Sequence, residues 1–137
     1  MTSPTIAPPL LSNTLGSVDG DFVIAEWRDA GGPVEPRRLI APPHIHHKDD
    51  EAWYVLEGEL CVQKGSEEVV LRAGSGVVVP RGTPHTYWNP GTGLARYLLI
   101  MTPNVFQLIQ DIHALKERTP ETLQAVFRKH DSELVKI

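Results

Sequence analysis

Four residues near the middle of the chain have the types and the spacing of a transition-metal site: His44, His46, Glu51 and His85. Alternate side chains of an extended strand face the same way, so the imidazoles of His44 and His46 would point together, about 6–7 Å apart. Glu51 returns after a polar loop, and His85 follows the turn residues 80–84. Three imidazoles and one carboxylate suit one divalent ion of Fe, Mn, Ni, Zn or Cu per chain, and suit Mg or Ca poorly.

The number of protein ligands limits what such an ion could do. Four ligands would close a tetrahedral zinc site, which is usually structural. On a six-coordinate ion the same four ligands leave two positions, enough for a bidentate substrate or for a substrate and dioxygen. His47 comes one residue after a candidate ligand, so we expect it to point away from the ion and to act in the loop or behind a ligand. His113 and His130, near the end of the chain, are expected at the surface.

The elements that would position these residues are short strands. The β-prone runs are residues 22–27, 52–56, 59–63, 68–71, 77–80 and 96–101. Turn residues such as Gly58 and Gly74 separate them. The even spacing of the runs, with no helical period between them, predicts an antiparallel sandwich or barrel.

The hydrophobic period changes after residue 101. The pairs Thr102-Pro103 and Thr119-Pro120 both have the form of a helix start, and apolar residues follow each pair at helical spacing. Residues 104–137 carry five basic and five acidic groups. Because such a pair of helices has no basic face, we expect it to pack on the barrel or on a partner subunit rather than in a DNA groove.

The whole chain, residues 1–137, is predicted to be a single domain. It would consist of a Pro-rich N-terminal arm (1–20), a β-barrel (about 21–102) and two short C-terminal helices (about 103–137). The formal net charge of −4 argues against binding to nucleic acid or to an anionic membrane surface. The single cysteine, Cys61, fits a reducing compartment and is expected to be a small buried residue. The start of the chain has no basic region and no unbroken apolar stretch, so we expect a soluble, cytoplasmic protein.

Two stretches of the sequence resemble the two motifs of the cupin superfamily. The first contains His44, His46, Glu51 and Gly58, and the second contains Gly74, Pro80, Gly82, His85 and Asn89. The resemblance covers about residues 34–103. The short gap between the two motifs, from Gly58 to Gly74, is typical of small single-domain bacterial cupins. One position departs from the first motif, since Arg38 stands where the family often has a glycine. That change affects the turn before the strand and not the ligand set.

The resemblance implies a double-stranded β-helix, or jelly roll, with His44, His46, Glu51 and His85 as metal ligands. It also implies a homodimer, for which the C-terminal helices and the N-terminal arm are plausible contact elements. Partners other than a second copy and a small-molecule ligand are not indicated.

Three further residues are candidates for the walls of a small-molecule pocket. If Glu51 and His85 face inwards, strand alternation turns Trp53 and Tyr87 inwards as well. Such walls would make an apolar, aromatic pocket with a metal at its base, or these rings could simply fill the barrel core. Arg96 could bind a substrate carboxylate, although a charged residue in a strand more often faces solvent.

The resemblance permits several functions, and fold analogy does not choose among them. The first hypothesis is a metal-dependent oxidoreductase of the dioxygenase type that acts on a small molecule. The alternatives are a metal-dependent isomerase, an enzyme like the polyketide cyclases, or a cupin that binds a small ligand without catalysis. In a further alternative the metal only ties two strands together.

Overall fold

The computed structural model describes residues 14–137, which form ten strands and two helices. The strands are β1 (Thr14–Gly16), β2 (Val23–Asp29), β3 (Leu39–His46), β4 (Glu51–Glu57), β5 (Glu59–Lys64), β6 (Glu67–Arg72), β7 (Gly76–Val79), β8 (His85–Trp88), β9 (Ala95–Met101) and β10 (Ser132–Leu134), and the helices are α1 (Pro103–Ala114) and α2 (Pro120–Lys129). Residues 1–13 of the predicted arm lie outside the described residues. Its residues 14–16 form β1, which pairs with β2 at the edge of a sheet.

The strands form two antiparallel sheets. The first has the order β1-β2-β9-β4-β7, and the second has the order β10-β3-β8-β5-β6. Strands far apart in sequence are neighbours, as β4 and β9 are in the first sheet and β3 and β8 in the second. This confirms the predicted mainly β, jelly-roll fold. Within residues 14–137 no strand of one sheet is hydrogen-bonded to a strand of the other, so the two sheets do not join into a closed barrel.

The core lies between the sheets and follows the period-two alternation of the strands. Trp53 of β4 and Tyr97 of β9 turn inwards from the first sheet, and Leu60 and Val62 of β5 come from the second. All four are almost fully buried. Burying a large apolar side chain stabilises a fold by about 1.5–3 kcal/mol, so the core holds the two sheets at a fixed separation.

The two predicted C-terminal helices are present and pack on the sheets. Each begins after a threonine that caps it: the side chain of Thr102 accepts the N–H of Val105, and Thr119 forms a capping box with Thr122. Val105 and Leu108 of α1 are buried, as is Phe127 of α2. None of the helices within the described residues is long and apolar enough to cross a membrane.

The last strand, β10, lies in the region that was predicted to be helical. It pairs with β3, so that Ser132 lies opposite His46. His130, at the C-terminal end of α2, is only 7% exposed. The expectation that His130 is a surface residue is therefore wrong. The ring of His130 contacts Asn104 and Asp111 of α1, at 3.0 and 2.7 Å, which ties the two helices together. His113 is exposed, as expected.

Candidate metal centre

The four candidate ligands come from three strands and bridge the two sheets. His44 and His46 lie near the end of β3, and His85 begins β8, where it is the cross-strand partner of His44. Glu51 is the first residue of β4, in the opposite sheet. Strand alternation puts His44 and His46 on one face, as predicted, and the facing sheets then bring the carboxylate to them.

Each of the four residues offers one ligand atom, and these atoms all lie within 4.8 Å of one another. Nε2 of His46 lies 3.2 Å from Nε2 of His44 and 3.2 Å from Oε1 of Glu51. Nε2 of His85 lies 3.2 Å from the same Oε1. All four side chains are buried, so water competes little for these atoms.

Backbone carbonyls fix the orientation of two of the rings. Nδ1 of His44 lies 2.6 Å from the carbonyl oxygen of Pro42, and Nδ1 of His85 lies 2.9 Å from that of Thr83. A carbonyl only accepts hydrogen bonds, so both Nδ1 atoms donate. In a neutral imidazole this leaves the Nε2 lone pair free, and here it faces the cluster.

A serine fixes the third ring. Nδ1 of His46 lies 2.7 Å from Oγ of Ser132. The Ser132 hydroxyl donates its own proton to the carbonyl of His130, at 3.1 Å. It therefore accepts from His46, which places the Nε2 lone pair of His46 at the cluster as well.

The arrangement fits a transition-metal ion on the chemistry of its donor atoms. Three Nε2 lone pairs and a carboxylate oxygen, all acceptors, face one another at about the contact distance of a hydrogen bond. Buried acceptors need a cation or a proton between them. The imidazole and carboxylate atoms are the ligands that divalent transition metals prefer, so the cluster could hold one such ion.

Burial and the neighbouring groups set the protonation of the cluster. Burial, together with the nearby imidazoles of His85 and His46, lowers the pKa of His44 to about 3. Burial acts in the opposite direction on Glu51, but the neighbouring imidazoles of His46 and His85 outweigh it and hold the pKa of Glu51 below its usual range. His44 is therefore neutral and Glu51 ionised at neutral pH, which are the forms that bind metals.

The loop between His46 and Glu51 is anchored on both sides. Asp49 accepts hydrogen bonds from the hydroxyl of Thr102 and the amide of Asn104, both at 2.8 Å, at the start of α1. Asp50 accepts the backbone N–H of Arg81 at 2.9 Å in the turn that precedes β8. Because this loop joins His46 to Glu51, its hydrogen bonds limit how far these two candidate ligands can move apart.

Gly82 determines the conformation of the turn that precedes His85 and β8. Gly82 has φ +81°, a left-handed conformation that side-chain-bearing residues rarely adopt. Its N–H donates to the carbonyl of His46 at 2.7 Å. The turn before β8 is thereby fixed to the end of β3, next to the cluster.

The cluster opens into a cavity of about 270 Å³. Its walls are mostly apolar and come from both sheets and from both helices; they include Trp27, Ile40, Leu99, Leu108, Ile109, Leu123 and Phe127. The ring of Phe127 packs against that of His44, with centroids 5.2 Å apart. Helices α1 and α2 therefore form part of the wall of the same cavity that the metal ligands line.

The structure places two of the three pocket candidates at this cavity. Trp53 and Tyr87 both line it, and the hydroxyl of Tyr87 lies 3.0 Å from that of Tyr97. Burial, together with the neighbouring hydroxyl, raises the pKa of Tyr87 well above its ordinary value, so it is a neutral hydrogen-bonding group. Arg96 is not among the lining residues; its Nε lies 3.0 Å from the buried carboxylate of Glu26 on the outer face of the first sheet.

His47 lies away from the cluster. Its side chain is about half exposed, and its Nε2 lies 3.2 Å from a carboxylate oxygen of Glu133. Cys61 is buried. Sequence reasoning missed Ser132, whose role depends on a strand too short to show a period. Phe127 is one of the apolar residues that follow Thr119-Pro120 at helical spacing, but its contact with the ring of His44 was not predicted.

Comparison with known proteins identifies relatives of the chain. The family model described as Cupin domain matches residues 33–101. The probable oxidoreductase virH of Hypocrea virens is 33% identical over 73 residues, which are 52% of this chain and 33% of that protein. The oxidoreductase iacF of Pestalotiopsis fici is 32% identical over 80 residues, 57% of this chain and 39% of that protein. The chain thus spans well under half the length of these two relatives.

Solved structures resemble the fold. A protein from Thermus thermophilus aligns with a TM-score of 0.52 and 28% identity, over 61% of this chain and 73% of its own. A putative sugar phosphate isomerase from Acidithiobacillus ferrooxidans aligns with a TM-score of 0.52 and 24% identity, over 61% of this chain and 51% of its own. The second likeness concerns the fold alone.

Proposed function

The chain belongs to the cupin family, and we propose that it is a metal-dependent oxidoreductase of the dioxygenase type that acts on a small, largely apolar molecule. One observation carries this proposal: three members of the buried His/Glu cluster, His44, His46 and Glu51, line an apolar, aromatic cavity. A concave apolar site with a few convergent polar groups is the usual form of a small-molecule site.

His44, His46, Glu51 and His85 would hold the ion, with their outer hydrogen bonds keeping the three Nε2 atoms directed at it. A bound divalent ion of redox-active type supplies Lewis acidity and positions for a substrate oxygen and dioxygen. In a dioxygenase both oxygen atoms enter the substrate, so the reaction needs no separate reductant.

The residues of the chain would bind the substrate and exclude water. The apolar side chains of α1 and α2 cover the cavity, and the neutral hydroxyls of Tyr87 and Tyr97 are its deep hydrogen-bonding groups. Because Tyr87 and Tyr97 already bond to each other, few polar groups remain for a polyhydroxylated sugar. The apolar walls therefore favour an aromatic or alkyl body over the polyhydroxylated chain of a sugar.

The two relatives named as oxidoreductases support the proposal, although the aligned region is a minor part of each. The cavity volume of about 270 Å³ lies near the lower end for ligand pockets and favours a substrate with a single ring. A homodimeric state and a cytoplasmic location stay predictions of the sequence.

An oxygen-uptake experiment tests the proposed activity. Metal-free protein is loaded with Fe(II) without air, and uptake of dioxygen is then followed with catechols, flavonols and 1,3-diketones. We expect uptake with a single-ring substrate, product labelled by isotopic dioxygen, and no uptake with Zn(II) or with His85→Ala. If the iron-loaded protein binds these compounds but consumes no dioxygen with any of them, the non-catalytic binding function is favoured instead.

A further inference from the structure

We propose that the ligand of this cavity is an amphipathic acid whose anionic group binds Arg118, while its metal-binding oxygen lies at the buried end. The inference rests on the proposed use of the cavity as a small-molecule site, and adds the class of ligand. It moves the role of anion anchor from Arg96, which is not in the cavity wall, to a residue of the C-terminal helical region.

The polarity of the cavity changes from its buried end to its open end. The buried end carries the His/Glu cluster, where every ligand side chain is shielded from solvent. The middle is apolar. The exposed part of the lining contains Arg28, Pro42, His113 and Arg118, and the partly buried Asp29 follows Arg28. A ligand that fills this space needs a polar head at the metal, an apolar body and a second polar group at the opening.

The ion pairs at the opening decide the sign of that second group. Asp29 lies 3.8 Å from a guanidinium nitrogen of Arg38 and also accepts the N–H of Gly31. Arg28 lies 3.6 Å from the buried carboxylate of Glu26. Both are thus partly neutralised by the protein itself.

Arg118, by contrast, makes no ion pair with any residue from 14 to 137. It is therefore the cation of the opening that remains available to a ligand. A guanidinium binds a carboxylate through two parallel hydrogen bonds, which are stronger than bonds between neutral groups.

The fold holds the backbone of Arg118 in place. Arg118 directly precedes Thr119, the residue that caps α2. The hydroxyl of Thr122 donates to the carbonyl of Glu117 at 2.9 Å, and the N–H of Leu115 donates to the carbonyl of Ile112 at 3.2 Å. The short connection between α1 and α2 is therefore fixed at both of its ends, and Arg118 lies between two helices that both line the cavity.

A matched pair of probes tests the proposal in protein loaded with Zn(II), which binds without redox chemistry. The probes are a catechol with a propanoate side chain and the same catechol with the uncharged propanamide. Binding is measured by quenching of tryptophan fluorescence, since Trp27 and Trp53 line the cavity. We expect the acid to bind about tenfold more tightly than the amide, and the difference to shrink as salt is added.

The variant Arg118→Gln should abolish the preference for the acid and leave the affinity for the amide unchanged. Arg128→Gln is the matched control, because Arg128 is an exposed arginine of α2 that does not line the cavity. Equal binding of acid and amide by the unmodified protein would overturn the inference and leave the proposed function standing. An equal loss of both probes in Arg118→Gln would also overturn it, since the residue would then act on the fold. If neither probe binds the unmodified protein, the inference fails, and the oxygen-uptake experiment decides the proposed function separately.

Discussion

Replacing Ser132 by alanine removes the hydrogen-bond acceptor that the structure gives to Nδ1 of His46. An Nδ1–H left buried without a partner costs about 1–3 kcal/mol. The ring of His46 can avoid that cost by moving the proton to Nε2, where it would donate to Oε1 of Glu51, 3.2 Å away. A metal must then displace this proton. Both routes weaken binding, and we expect the affinity for Zn(II) or Co(II) to fall about 10–100-fold.

A competition titration against a chromophoric chelator measures the affinity, and circular dichroism checks that the variant is folded. Ser66→Ala is the control, since Ser66 is an exposed residue of the turn between β5 and β6. In the metal-free protein, imidazole nitrogen resonances should show His46 in the Nδ1–H form, and in the Nε2–H form after Ser132→Ala. An affinity within twofold of the unmodified protein, with the tautomer unchanged, would refute the reasoning.

Three other changes have effects that follow from particular contacts. The pKa of His44 is about 3 when folded and near 6.5 when unfolded, so the unfolded state binds more protons and the metal-free protein should lose stability as pH falls from about 6.5 to about 3. The gap between the two pKa values sets an upper limit of about 5 kcal/mol on this loss of stability. Urea unfolding of the chelator-treated protein at several pH values between about 3 and 6.5 measures it, and the free energy of unfolding should depend less steeply on pH in His44→Asn. Phe127→Ala should cost about 3–5 kcal/mol in the free energy of unfolding, because it empties a buried site beside a ligand ring; a loss below about 1 kcal/mol would contradict the packing. Arg96→Gln should lower the free energy of unfolding by about 1–2 kcal/mol, because it leaves the buried Glu26 without its closest cation. The affinity for the catechol acid and for its amide should stay unchanged in this variant. Weaker binding of the acid would show that Arg96 contributes to the pocket after all.

The ligand cluster was predictable partly from a local rule and partly from the family resemblance. His44 and His46 share a face through the alternation of one strand, and the two motifs around Glu51 and His85 give the spacing that the cupin fold brings together. The six strands that overlap the predicted β-prone runs and the two capped helices were predictable because their periods and turn residues lie within short windows of sequence.

The outer contacts of the site depend on pairing between distant segments and were not predictable in this way. Ser132 reaches His46 only because the three-residue strand β10 pairs with β3, and such a strand is too short to show a period. His130 is buried by the packing of α1 and α2, which a helical pattern alone does not determine. The outward direction of Arg96 did have a signal, since it alternates with Tyr97 and Leu99, which face the core.

The most direct test of the account is the metal content and affinity of four proteins: the unmodified chain, His85→Ala, the double variant His46→Ala with His85→Ala, and His47→Ala. The account predicts one equivalent of a divalent transition metal in the unmodified protein and in His47→Ala, because the ring of His47 lies against Glu133 and outside the cluster. His85→Ala should bind metal far more weakly, and the double variant should lose stoichiometric binding. One equivalent bound by the double variant at unmodified affinity would contradict the assignment of the metal centre.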